Sequence, residues 1–248
     1  MINRFIFSQT NLDSGSLTVL ASIVHRFSEQ GLHYCKIKRG NKEVGSFQIL
    51  VGDEPAFPAS VKIDLKLMAS EFPEPSGSEA CNCLNVSAGG YALFFVSSGV
   101  GGYTLEMTMP EARGKAVFDS QKLTGDDMFV ATLLRPGAYK VTNVLTKAQA
   151  ELRVTYPEIG KTKRTAEPLK LDCSEKEISP ANASVNPGQG TVFSFKVPSR
   201  IKIELSSPED RAKPVSVQIQ ASQTKARFEV KGAKKVVRQM KVNLSRRH

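Results

Sequence analysis

The feature that most constrains this chain is a run of alternating side chains from Leu133 to Tyr156. Pro136-Gly137 makes a turn, and Tyr139 and Val141 then alternate with Lys140 and Thr142. After a short break, Ala150, Leu152, Val154 and Tyr156 alternate with Glu151, Arg153 and Thr155. Successive strand side chains point to opposite faces of a sheet, so the pattern specifies a hairpin with one buried and one wetted face. Two stretches echo it. At 31–52, Gly31 precedes a strand over Leu32–Lys38, Gly40-Asn41-Lys42 turns, and Phe47, Ile49 and Val51 share a face. At 213–231, Val215, Val217, Ile219 and Ala221 lead through Ser222-Gln223-Thr224 to Ala226, Phe228 and Val230.

The rest of the chain carries the same period. Val61, Ile63, Leu65 and Leu67 alternate with Lys62, Asp64, Lys66 and Met68, which predicts a strand over the whole run. Leu17–Phe27 reads as a strand from its Thr, Val and Ile content. Tyr91–Val96 is apolar throughout, as expected of a strand covered on both faces. Tyr103 to Met109 alternates until Pro110 stops it, and Ala116–Phe118 and Met128–Leu134 add two strands. Phe193, Phe195 and Val197, then Ile201, Ile203 and Leu205, and finally Met240, Val242 and Leu244 continue the pattern. Helical signal is nearly absent, and short strands separated by turn residues mark sandwiches or barrels. Two polar breaks divide the chain: Ala69–Ala80, with Pro73, Pro75 and Gly77, and a basic stretch at 158–168 with Lys161, Lys163 and Arg164. The organisation expected is three tandem modules, 1–68, 83–157 and 169–248, joined by linkers at 69–82 and 158–168. A chain of 248 residues with 40% hydrophobic content has enough apolar material to give each a core.

The run Leu134-Arg135-Pro136-Gly137-Ala138-Tyr139-Lys140-Val141 resembles the L-x-P-G-x-Y-x-V signature of many immunoglobulin-like, fibronectin-like and carboxypeptidase-regulatory-like β-sandwiches. That resemblance implies that Tyr139 braces a corner, its ring in the core and its hydroxyl bonded to nearby backbone. Ile178–Phe195 resembles the opening strands of a cupredoxin, an extended S-P-A segment leading through a P-G-Q turn to an apolar strand. The fold class expected is therefore all-β, with tandem immunoglobulin-like or cupredoxin-like β-sandwich modules. Copper chemistry is not carried over, because such a site needs two His, one Cys and an axial Met. The three histidines are His25, His33 and His248, and no Cys follows Cys173. No cofactor is expected.

Catalytic signals are equally sparse. No G-x-S-x-G elbow, Walker loop, H-E-x-x-H or paired-carboxylate motif stands out. Gly99-Val100-Gly101-Gly102 sits between strands with no helix to aim amides at phosphate, so it reads as a hairpin turn. Asp126-Asp127 after Thr124-Gly125 reads as a turn, with an oxygen-ligated Ca²⁺ site as the minor alternative. His25 and His33 read as surface or satisfied structural residues that face one another across two strands. Cys35 reads as a small buried hydrophobe; Cys81 and Cys83 have the spacing of a soft-metal pair but no second Cys pair near a His. Asn85, Asn182 and Asn243 each open an Asn-x-Ser triplet, which has meaning only on a secretory route. No apolar run has the roughly 18–20 residues of a membrane span, and the N-terminus lacks the apolar core of a signal peptide. The address expected is cytoplasmic, with a secreted protein that has lost its leader as the alternative.

Charge is the compositional fact with functional reach. The net charge is +10, and residues 225–248 carry nine basic side chains against Glu229 alone. Lys231, Lys234, Lys235, Arg238, Lys241, Arg246 and Arg247 form a candidate partner- or polyanion-binding segment. Phe228 is its only aromatic, short of the interleaving that single-stranded nucleic acid calls for. A solvated edge whose lysines discourage strand pairing is the plainer reading. The function expected is a non-enzymatic structural or protein-interaction protein, a subunit of a larger assembly that engages a protein partner or its own copies. The alternative is a module that binds nucleic acid or an anionic surface through the basic segment.

Overall fold

The structure, a computed structural model, describes residues 6, 8–70, 83–110, 116–156 and 166–209. Among the described residues, the elements with defined bounds are seventeen strands and the short helix Leu65–Ser70. The first half comprises β1 (Asn11–Asp13), β2 (Ala21–Arg26), β3 (Gly31–Arg39), β4 (Lys42–Gly52), β5 (Ser60–Asp64), α1 (Leu65–Ser70), β6 (Cys83–Ser87), β7 (Tyr91–Phe95) and β8 (Tyr103–Thr108). The second comprises β9 (Ala116–Asp119), β10 (Asp127–Thr132), β11 (Gly137–Asn143), β12 (Gln149–Val154), β13 (Leu169–Cys173), β14 (Ile178–Ser179), β15 (Asn182–Val185), β16 (Gly190–Phe195) and β17 (Ile201–Pro208). The fold is thus all-β, and the strands of the described residues form three sheets.

The alternating stretches become strands whose apolar side chains are buried. The Leu133–Tyr156 hairpin is β11 paired antiparallel with β12, and its first echo is β3 paired with β4. Its second echo, at 213–231, and the strand expected at Met240–Leu244 lie outside the described residues. One expectation is corrected at 61–68. The strand stops at Asp64, and Leu65–Ser70 is helical. The Asp64 carboxylate accepts the Lys66 amide at 3.0 Å, the bond that an N-cap makes to the second helical residue. The helix then lies against β4, where a side chain at Gly45 would meet the Met68 carbonyl oxygen at 2.7 Å.

A seven-stranded sheet runs β14-β13-β16-β10-β2-β7-β5, and two five-stranded sheets run β6-β4-β3-β8-β9 and β1-β17-β11-β12-β15. The pairing contains one scheme twice. In the first half β2 pairs antiparallel with β7, β7 parallel with β5, β3 antiparallel with β4 and β8, and β4 parallel with β6. In the second half β10, β16, β13, β11, β12, β17 and β15 repeat each of those relations in turn. From β4 to β8 the chain alternates between two sheets, the winding path of a short β-solenoid, and this produces the parallel pairs. The halves meet where β2 pairs antiparallel with β10 at the centre of the large sheet. They also exchange edges: β1 pairs with β17 of the second half, and β9 pairs with β8 of the first. Strands from all three segments expected as separate modules therefore share the large sheet, β2 from 1–68, β10 from 83–157 and β16 from 169–248.

The duplication reaches individual residues. Asp13-Ser14-Gly15-Ser16-Leu17-Thr18 recurs as Asp119-Ser120-Gln121-Lys122-Leu123-Thr124. The Ser14 hydroxyl accepts the Ile201 amide and the Ser120 hydroxyl accepts the Leu105 amide, each at 3.0 Å. Leu17 bridges to Tyr103, and Leu123 bridges to Ser199. Gly31 and Gly137 open equivalent strands with φ of 126° and 143°, backbone that a side chain would strain.

Burial follows the pleat. In the large sheet Ile23, Phe94, Phe129 and Phe193 point to one face and are fully buried. The rings of Phe94 and Phe118 lie 5.7 Å apart, joining that face to the β9 side of a five-stranded sheet. Tyr139, Val141, Leu152, Ile201 and Ile203 supply the second half's inward face. Each such side chain contributes about 1.5–3 kcal/mol over leaving it in water.

Candidate functional site

The basic residues singled out from sequence, Lys231, Lys234, Lys235, Arg238, Lys241, Arg246 and Arg247, lie outside the described residues, as do Cys81, Asn243 and His248. The remaining candidates are placed, and most are bound into the scaffold.

His25 and His33 both lie in the core. His25 Nδ1 donates to Asp127 Oδ1 at 2.7 Å, and the two residues oppose each other in the β2–β10 register. Asp127 Oδ2 accepts the Thr124 amide and hydroxyl, so this carboxylate closes a turn as well as holding the ring. The His25 ring packs edge-on against Phe27, with centroids 5.0 Å apart, and against Phe118 at 4.8 Å. Phe27 in turn stacks edge-on with His33. Desolvation lowers the His33 pKa, its Nδ1 bond to the Gly31 carbonyl works against that shift, and the neighbouring His25 adds to it. The arrangement is a buried polar seam joining the halves of the chain.

Asp127 is therefore committed to His25 and Thr124. The glycine loop serves packing: the Gly102 amide donates to the Leu17 carbonyl at 2.8 Å, and Gly101 abuts the Thr18 backbone. Among the described residues no group of three or more His, Cys, Asp and Glu side chains is positioned to hold a metal ion. Cys35 and Cys173 are buried, and desolvation raises both thiols, Cys173 to about 12; Cys83 is exposed. Among the described residues no helix is long and apolar enough to cross a membrane. Tyr139 is the corner brace that the L-x-P-G-x-Y-x-V resemblance implies: fully buried, with its hydroxyl donating to the Arg135 carbonyl at 2.8 Å. A shallow open depression of about 550 Å³ on a five-stranded sheet is lined by Lys140, Gln149, Glu151, Asn182 and Ser206.

The surface that stands out is the outward face of the seven-stranded sheet. The register aligns two rows of side chains across it. One row reads Lys170, Val192, Val130, Ser22, Phe95 and Asp64; the next reads Asp172, Ser194, Met128, Val24, Leu93 and Lys62. Val192, Val130, Phe95, Met128, Val24 and Leu93 are only half-buried, whereas their neighbours along each strand are fully buried on the inward face. The centre of this face is apolar and its two margins are charged. On an antiparallel sheet with one wetted face, polar side chains are the norm at such positions. All four central strands are expected from sequence, but Tyr91–Val96, expected to be covered on both faces, leaves Leu93 and Phe95 half-buried. The outward faces of β2, β10 and β16 do not stand out along the chain because Ser22, Thr132 and Ser194 dilute the pattern. No protein-family model matches the chain, and neither a curated protein nor a solved structure matches it.

Proposed function

We propose that this chain is a non-enzymatic structural or protein-interaction protein that works as a subunit of a larger assembly. Its architecture in this reading is a tandem pair of β-sandwich modules of the immunoglobulin-like or cupredoxin-like kind, over residues 21–108 and 127–208, locked by the exchange of β1 and β9. The observation that carries the reading is the apolar outward face of the seven-stranded sheet. Apolar surface gathered on one face and rimmed by polar side chains is characteristic of interaction sites. The histidines support it from the other side, since His25 and His33 are occupied in the core. The test is chemical cross-linking of the tagged full chain in its native source, followed by mass spectrometry. Recovery of partner peptides, from other copies or other proteins, joined to Lys62 or Lys170 supports the reading. Absence of any partner across mild lysis conditions overturns it.

A second reading rests on charge. Nine basic residues against one acidic one in 225–248 suit a polyanion-binding segment. Binding to DNA, RNA or anionic vesicles would then fall steeply with salt and vanish on truncation after Val230. Salt-insensitive binding, or binding that survives truncation, refutes it.

A further inference from the structure

We propose that the outward face of the seven-stranded sheet docks against the same face of a second copy of this chain, about a two-fold axis running along the strands between β2 and β10. The proposal rests on the interaction-protein reading above and names the partner.

The charge pattern argues for a second copy. Lys170 and Asp172 stand at one margin of the face, and Asp64 and Lys62 stand at the other, in opposite order across the same two rows. A two-fold axis parallel to the strands keeps each row at its height and reverses it from side to side. Asp172 then falls opposite Lys62 of the second copy, and Lys170 opposite Asp64, each twice. Near the axis Arg26 falls opposite Asp126; within one chain these are neighbours, the Arg26 amide donating to the Asp126 carbonyl at 2.9 Å. Asp172, Lys62, Lys170, Arg26 and Asp126 are all exposed. Asp64 is a buried carboxylate already bonded to the Lys66 and Ser97 amides, so its pairing with Lys170 or Lys62 favours neither choice of axis. Among exposed charges an axis running across the strands sets only Lys170 against Asp172, whereas the axis along the strands sets both Asp172 against Lys62 and Arg26 against Asp126. The axis along the strands uses the exposed charges more fully. Complementary charge of this kind fixes register and discriminates against other docking arrangements.

The apolar centre matches the same operation. Between the charged margins, Val192, Val130 and Phe95 in one row and Met128, Val24 and Leu93 in the next meet their own mirror order. Two sheets pack face to face through such side chains at about 10 Å, as the layers of a sandwich do. Seven strands spaced by about 4.8 Å make a face about 30 Å wide. That breadth is of the order needed for a standard interface of roughly 800 Å² per partner. An isologous contact also closes on itself, so the product is a dimer and not a fibre.

Sedimentation equilibrium of the full chain over a range of concentrations and salt tests the proposal. The wild-type chain is expected to dimerise. Val130→Arg, at the apolar centre, should yield a monomer with unchanged far-UV circular dichroism. Asp172→Lys and Lys62→Asp lie at the margins and should each weaken self-association by about tenfold or more, the factor that about 1.4 kcal/mol carries. Mixed in equal amounts, these two variants should recover the dimer, because each introduced charge meets its opposite while the native Lys62 meets the native Asp172. The axis across the strands predicts no such recovery. A wild-type chain that stays monomeric up to about 100 µM overturns the proposal. So does a dimer indifferent to Val130→Arg, or a failure of the mixed variants to re-associate. Cross-links from Lys62 or Lys170 to a different protein, with the chain itself monomeric, would overturn the self-docking while leaving the interaction-protein reading standing.

Discussion

Replacing Tyr139 tests the claim that the sequence hairpin at 133–156 is an architectural element. Tyr139 is fully buried and sits on β11 between two partners, opposite Leu152 of β12 and Leu205 of β17. Its hydroxyl donates to the Arg135 carbonyl at 2.8 Å, four residues back, and so holds the turn that delivers Gly137 into the strand. Tyr139→Ala removes the ring and the hydrogen bond together. Large-to-small replacement of a buried aromatic costs about 3–5 kcal/mol, because the transfer energy of the lost atoms is joined by that of the cavity. Tyr139→Phe keeps the ring and removes one bond, which costs about 0.5–1.5 kcal/mol. Urea denaturation followed by circular dichroism reads both. With a slope of ~2 kcal/mol per molar, the midpoint should fall by about 2 M for Ala and by well under 1 M for Phe, at constant slope. Native domains carry only about 5–15 kcal/mol, so the Ala variant loses a large share of its stability. An Ala variant with an unchanged midpoint that had lost a binding activity would refute the brace and make Tyr139 a contact residue.

The remaining predictions concern the joints of the duplicated scaffold. Arg200 Nε and Nη2 donate to the two Asp13 oxygens at 3.0 and 2.8 Å, so Asp13→Ala should cost about 1.5–3 kcal/mol and unpin β1 from β17, seen as faster hydrogen exchange at Leu12 and Ile203. The folded His33 resists protonation, so stability is complete above its unperturbed value of 6.5 and falls as pH drops below it; His33→Gln should flatten the dependence of melting temperature on pH between about 7.5 and 5.5, and an unchanged slope would remove His33 from the linkage. With Cys81 and Cys83 replaced by Ser, the native chain should show no fast thiol towards a disulfide reagent, and Cys35 and Cys173 should react only as fast as the protein opens.

Sequence reasoning reached the strands and stopped at their partners. Period two marks which face of a strand is buried, and it located β3, β4, β8, β11, β12, β16 and β17 because each has one wetted side. It overran at Leu65–Met68, since four residues of alternating size fit one turn of helix as well as a strand, and the capping carboxylate of Asp64 decides between them. Pairing is a different kind of information. The parallel neighbours β4 and β6 are separated by a strand in another sheet, and β1 joins a strand nearly the whole described chain away. No local pattern encodes either. The duplication was present as Asp-Ser-x-x-Leu-Thr, but it was masked where equivalent positions diverged, His33 for Tyr139 and α1 for β14. The outward face of the large sheet was hidden for a geometric reason. Along β2, β10 and β16 its apolar residues are interleaved with buried ones and diluted by serine and threonine, so each strand alone reads as ordinary core. Only the register, which lines up Val192, Val130 and Phe95 across strands distant in sequence, turns them into a stripe. The charges at Lys62, Asp64, Lys170 and Asp172 gain meaning the same way: each is an unremarkable edge residue along the chain, and across the sheet they bound the stripe in opposite order, which a second copy of the same face complements.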